Sequence, residues 1–284
     1  PGSPELLLLV LDARLALRPG GTGPGARAAG GEALFPRLWD ALVVFCRAHA
    51  AVGPDQQVAL LAAHARRTVV LASGMCASVD WEAARHSAAA FALEEGGLLG
   101  EPLLAAALSR ALCLAHRLRR SATELQARVL LLDGSAVEAD LSSQSSALIN
   151  CAFAAQAAGM LIDCLALGPE PAVLLRQVAG LTSGKHLGLA PSGREHRPED
   201  VLVPLLLFHF LPGVLARKEL NVVADTQHHS AVCLCHGERR ELAHICSSCL
   251  AVFCSDAAAI CPVCGTRFRH ERERDRRLLD VGGA

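Results

Sequence analysis

Seven of the twelve cysteines lie between Cys233 and Cys264, and any fold proposed for this chain has to account for them first. They run Cys233-x-Cys235-His236, Cys246-x2-Cys249, Cys254 and Cys261-x2-Cys264. A C-x2-C knuckle turns tightly enough to aim both sulfurs at one point, so two knuckles can close four thiolates around a tetrahedral zinc ion. Pro262 inside the last knuckle and Gly265 just after it fix the turn that metal binding requires. The most economical site is Cys246, Cys249, Cys261 and Cys264. Cys233, Cys235, His236 and Cys254 remain as a second set with less regular spacing, because C-x-C makes a poorer knuckle.

A disulfide framework is the competing explanation. The sequence begins Pro1-Gly2-Ser3 with no signal-peptide pattern, and it leaves room for residues ahead of it. The other cysteines (Cys46, Cys76, Cys113, Cys151, Cys164) are scattered through apolar segments, where reduced thiols pack as core residues. An intracellular, metal-binding module is therefore expected. It holds few large apolar residues (Leu250, Val252, Phe253, Ile260, Phe268), so its folding energy comes largely from the metal, about 10 to 16 kcal/mol apparent for structural zinc. A closed four-thiolate site keeps no position for water and is structural, not hydrolytic.

With 284 residues and 52% hydrophobic content, the chain has room for one large domain beside this module. Leu6–Leu11 is a short, continuous apolar run ending at Asp12, the pattern of a buried parallel strand. Helical periodicity follows over 34–51, then two short strands at 57–63 and 68–72 in a hairpin, and a long helix over 103–118. Val129–Leu132 reads as strand, and helix and strand then alternate: 145–158, 161–167, 172–181, 186–190 and 198–211. Such alternation predicts an α/β fold, a doubly wound, mostly parallel sheet covered on both faces. The expected layout is a domain over 1–212 with a flexible loop at 19–31, a linker at 213–230, the cysteine-rich module at 231–270 and a charged tail at 271–284.

Ligands of such sheets bind at the carboxyl ends of the strands, where Asp12 and Asp133 stand. Paired carboxylates there can hold Mg2+. A phosphoryl-transfer pattern would want a second carboxylate two residues after the first, and Arg14 occupies that position. Strand-ending caps are the better reading of both aspartates. Gly20-Gly21-Thr22-Gly23 lacks the Lys-Ser/Thr of a phosphate-binding loop. Cys113 and His116, three apart on a predicted helix, are read as a packed thiol beside a basic helix end, and no catalytic residue is assigned. The formal charge of -1 gives no general field for nucleic acid, and the lack of tyrosine removes stacking platforms. No apolar run reaches the length of a membrane span.

Taken together these pieces resemble one family, general transcription factor IIH subunit 3, the smaller von Willebrand A-domain subunit of the TFIIH core. The marks are Phe153-Ala154-Ala155-Gln156, Leu161-Ile162-Asp163-Cys164, Phe210-Leu211-Pro212, the helix segment Ala111-Leu112-Cys113 with His116, and above all Cys233-Leu234-Cys235-His236, Ile245 to Cys254 and Cys261-x2-Cys264 with Phe268. The resemblance implies a von Willebrand A domain. Metal-competent members carry D-x-S-x-S after the first strand, a Thr before the long helix and an Asp after the fourth strand. Here Asp12 and Asp133 remain, but Arg14 and Ala16 replace the hydroxyls and Pro102 stands near the Thr position, so no Mg2+ is expected. The Pro19–Gly31 loop and the alternating charges of Glu271–Arg277 are not family marks.

The resemblance further implies a non-enzymatic, nuclear interaction subunit, pairing with the larger von Willebrand A and zinc-bearing subunit and with other TFIIH core subunits in transcription initiation and nucleotide excision repair. Two other readings are a RING-like ubiquitin ligase module and a direct DNA-binding zinc module. The second has only Arg239, Arg240, Arg267 and Arg269 near the metal sites, too few for strong binding.

Overall fold

Six apolar residues in succession can be buried only if both faces of a strand are covered, and β1 (Glu5–Asp12) is such a strand: Leu6, Leu8 and Val10 face one core while Leu7, Leu9 and Leu11 face another. In the computed structural model, residues 3–17, 34–94, 100–122, 124–134, 141, 143–168, 173–189, 201–213, 216–217, 231–233, 235–236, 239–240, 242–255 and 259–268 are described. The predicted loop at 19–31, most of the linker at 213–230 and the tail at 271–284 lie outside them. The chain divides into two units, Pro1–Thr226 and Gln227–Ala284.

In the first unit, β1 pairs in parallel with β2 (Gln57–Ala63) and with β4 (Gln126–Asp133), and β4 continues to β5 (Leu161–Ala166) and β6 (His186–Gly188). β3 (Thr68–Met75) closes the other edge antiparallel to β2, with an irregularity at Leu60/Leu61. The order β3-β2-β1-β4-β5-β6 makes a mostly parallel, doubly wound sheet. One face packs α3 (Leu104–Ser121), α4 (Ser145–Ala157) and α5 (Val173–Leu181). The other packs α1 (Leu34–Val52) and α6 (Leu202–Leu205), which continues as a π-helical turn over Leu206–Phe210.

One helix escapes the sequence reading. α2 (Trp81–Glu94) buries Ala84, Ala88, Phe91 and Ala92, a helical spacing disguised by alanine. Its start is nonetheless marked: the Asp80 carboxylate accepts the N–H groups of Glu82 (3.1 Å) and Ala83 (3.0 Å), as an N-cap does. The predicted strand at 68–72 extends to Met75, and the one at 186–190 is observed only as His186–Gly188. Of the scattered cysteines four are buried, whereas Cys113 is exposed on α3 and is not the packed thiol expected.

Parity along the strands also explains a charged cluster. Residues Glu5, Arg128 and Asp163 share the register of Leu7, Leu130 and Leu165, so all three turn toward the α1/α6 side at the amino-terminal edge of the sheet. Arg128, 1% exposed, places Nε 2.7 Å from Glu5 Oε1, and its terminal nitrogens donate to the carbonyls of Phe210 and of Leu211 (3.0 Å). Arg217 donates to both oxygens of Asp163 (2.7 and 2.6 Å) and to the carbonyl of Pro212 (2.8 Å). Two arginines thus hold three successive carbonyls at the end of the last helix against β1, β4 and β5. Burial pushes the Glu5 carboxyl up against the pull of Arg128, and burial, followed by the charge of Arg128, brings His49 beneath it down to about 4.

Candidate metal centres

Among the described residues of the second unit the strands are two-residue ribbons, β7 (Ala231–Val232) with β8 (Arg239–Arg240), and β9 (His244–Ile245) with β10 (Val252–Phe253). Its core is Cys246, Cys249, Ala251, Phe253 and Cys261, with Phe268 edge-on to Phe253 at 6.3 Å. That is too little apolar burial to fold so short a segment alone.

Its two knuckles are built alike. After Cys246-x2-Cys249, the Leu250 N–H donates to the Cys246 carbonyl and the Cys246 N–H to Ala251. After Cys261-x2-Cys264, the Gly265 N–H donates to the Cys261 carbonyl and the Cys261 N–H to Thr266. The residue after the second cysteine has positive φ each time, +58° at Leu250 and +73° at Gly265. Glycine adopts that conformation freely, whereas leucine pays a steric penalty of about 1–2 kcal/mol.

The structure brings the predicted residues together in two groups, Cys246, Cys249, Cys261, Cys264 and Cys233, Cys235, His236, Cys254, the donor atoms of each group lying within 4.8 Å of one another. In the first group the Cys246–Cys264 and Cys249–Cys261 sulfurs are each 3.7 Å apart. A tetrahedron with zinc–sulfur bonds of about 2.3 Å has edges of about 3.8 Å. In the second, Cys235 and Cys254 sulfurs are 3.3 Å apart, and His236 Nδ1 lies 3.2 Å from Cys254 and 3.7 Å from Cys233. All are far beyond the roughly 2.05 Å of a disulfide bond, and every cysteine is free. Either group can hold a metal ion.

The two groups interleave along the chain: the first three ligands and Cys254 belong to one, and the knuckles before and after Cys254 belong to the other. Protonation is uneven. The Thr266 hydroxyl and N–H favour the Cys264 thiolate and bring it down to about 6, while burial takes Cys249 up to about 12 and the neighbouring Cys235 thiol takes Cys254 up to about 11. Metal binding must then release protons from the thiols that hold them.

At the carboxyl edge of the sheet the chain has filled its own crevice. Asp12, fully buried, accepts from Arg14 at Nε (3.1 and 3.2 Å), at NH2 (3.0 Å) and at the backbone N–H (3.0 Å), and from the Gly134 N–H (3.2 Å). Arg14 also donates to the Gly100 carbonyl at 3.2 Å. A guanidinium therefore stands beside Asp12 where an ion would approach. Asp133 is buried at the end of β4, and the Pro102 carbonyl accepts from Gln144 at 2.8 Å. Asp12 caps the turn after its strand. Cys113 and His116 are both exposed on α3.

Residues 99–265 match the family model described as transcription factor Tfb4, a span that holds both metal-binding groups. The chain is 30% identical over 164 residues to general transcription factor IIH subunit 3 of Dictyostelium discoideum, covering 57% of this chain and 41% of that protein. It is 30% identical over 177 residues to the general transcription and DNA repair factor IIH subunit TFB4 of Arabidopsis thaliana, covering 61% and 54%. The chain thus spans about half the length of these relatives. Among solved structures it is similar to the TFIIH p34 N-terminal domain, with a TM-score of 0.56 and 25% identity over 73% of this chain and 98% of that one.

Proposed function

From the premise that this chain belongs to the transcription factor Tfb4 family, as its match over residues 99–265 shows, we propose that it is a non-enzymatic, nuclear subunit of the TFIIH core, acting by protein–protein interaction in transcription initiation and nucleotide excision repair. The larger von Willebrand A and zinc-bearing subunit is its expected partner. The observation that carries the reading is that the family match includes both ligand groups. Each group has donor spacings suited to tetrahedral zinc, with Cys246, Cys249, Cys261 and Cys264 holding one ion and Cys233, Cys235, His236 and Cys254 the other. Four protein donors per ion complete the coordination, so the metal's role is to fold the module. Arg14 against Asp12 argues in the same direction for the first unit: it presents a closed crevice in place of an ion-binding one. Neither the ligase nor the DNA-binding reading finds support in the family match.

The test is recovery of the intact chain from nuclear extract with its partners identified and its zinc quantified on the same sample. Recovery of TFIIH core subunits with about two zinc ions per chain, as two four-donor groups require, is the expected result. A zinc-loaded chain that recovers none of those subunits would remove the assignment.

A further inference from the structure

Helix α3 carries Arg110, His116, Arg117, Arg119 and Arg120 in its eighteen residues and no aspartate or glutamate. The neighbour α4 has no charged residue, and the charged residue of α5 is a further cation, Arg176. Two exposed pairs elsewhere on this unit do join opposite charges: Arg67 lies 3.2 Å from Glu94, and His86 lies 3.3 Å from Glu82. On α3 the contacts are of another kind. Arg110 donates to the carbonyl and hydroxyl of Thr68, and Arg119 to the Ala158 carbonyl at 2.7 Å. Among the described residues none of Arg110, Arg117, Arg119 and Arg120 forms an ion pair. Such a concentration is out of keeping with a chain of net charge -1.

At 100° per residue, Arg110, Arg117 and Arg120 fall within about 80° of one another on the exposed face; the positions between them, Ala106 and Cys113, are small, as is Ser109 at the edge of the arc, and all three are exposed. Small side chains let another helix approach closely, and arginines spaced by seven and three residues match carboxylates at the same spacing on that helix. The face has no aromatic side chain on which a base could stack, so a protein fits it better than a nucleic acid. We propose that the exposed face of α3 docks an acidic helical segment of a partner protein. The proposal rests on the reading of this chain as an interaction subunit and specifies the chemistry of one partner.

Two measurements test it on the full, zinc-loaded chain. The first is anisotropy of a labelled eighteen-residue alanine-based helical peptide with glutamates at alternating spacings of three and four, against its glutamine counterpart. The glutamate peptide alone should bind, and R110Q/R117Q/R120Q should weaken it about ten-fold at low salt, with the difference shrinking as salt rises. Equal binding of both peptides, or an unaffected triple variant, overturns the proposal, as does a variant-sensitive site for a 20-base-pair duplex in place of the peptide. Tryptophan fluorescence confirms that the variant is folded. The second is recovery of TFIIH core subunits by wild type and variant. Loss of recovery by the variant alone supports the proposal. Equal recovery with no peptide binding refutes the docking face and leaves the family reading standing, whereas peptide binding by a chain that recovers no core subunit refutes that reading and leaves the face.

Discussion

Replacing Arg128 by methionine should be the most damaging single change to the first unit. The substitution keeps the aliphatic stem and removes a guanidinium that is 1% exposed, 2.7 Å from Glu5 and bonded to the Phe210 and Leu211 carbonyls. Breaking a buried ion pair costs about 3–5 kcal/mol because a charge is left without compensation. Each carbonyl without a donor adds about 1–3 kcal/mol, though members of one cluster do not add independently. We expect a loss of about 4–6 kcal/mol, against a total of about 5–15 for a domain. The charge also gives the loss a pH signature. Glu5 is already raised from 4.5, and Arg128 is the largest influence holding it down. Without it the folded protein retains a proton that the unfolded chain releases, so stability falls as pH rises from about 4.5 through the raised folded value. The deficit should be larger at pH 7.5 than at pH 5, and E5Q/R128M should recover part of it and lose the pH dependence. Urea unfolding followed by tryptophan fluorescence isolates this unit, since Trp39 and Trp81 are the only tryptophans and both lie in Pro1–Thr226. A loss under about 1 kcal/mol, or one equal at both pH values, would refute the reasoning.

Because the ligand groups interleave, a serine at Cys246 or at Cys254 should release metal from both groups, which metal analysis of the purified chain would show as near-complete loss; retention of half the metal would mean that the sites fold independently. Leu250→Gly should remove the left-handed strain and slow metal loss to a chelator by up to about ten-fold, while Gly265→Ala should hasten it. His49, lowered to about 4 from 6.5, binds its proton more readily in the unfolded chain, so stability present above pH 6.5 is lost as pH falls toward 4, by up to about 3 kcal/mol. His49→Gln should flatten that limb in urea titrations between pH 4 and 7.

Much of this was legible in the chain because it was written in period and spacing. The strand cores Leu6–Leu11 and Val129–Leu132 are apolar on both faces, and both knuckles advertise their turns. What escaped has a common cause. α2 buries alanines, which carry too little hydrophobic contrast to mark a face. Arg128 and Asp163 occupy strand positions whose parity points inward, but their partners Phe210, Leu211 and Arg217 stand some 50 to 80 residues away in sequence, a proximity that only the fold creates. The partition of the ligands did not escape: with both C-x2-C knuckles assigned to one set, Cys254 falls to the other, and the structure brings the same residues together.

The guanidinium of Arg14 is tethered two residues from the carboxylate it neutralises, so its local concentration is set by covalent structure and not by the ionic content of the surrounding solution. A surface organised around a bound cation can be switched by supplying or withdrawing that cation; one organised around Arg14 is constitutive. Chelators should therefore act on this chain at one end only, loosening the metal-binding unit Gln227–Ala284 while Pro1–Thr226 stays folded.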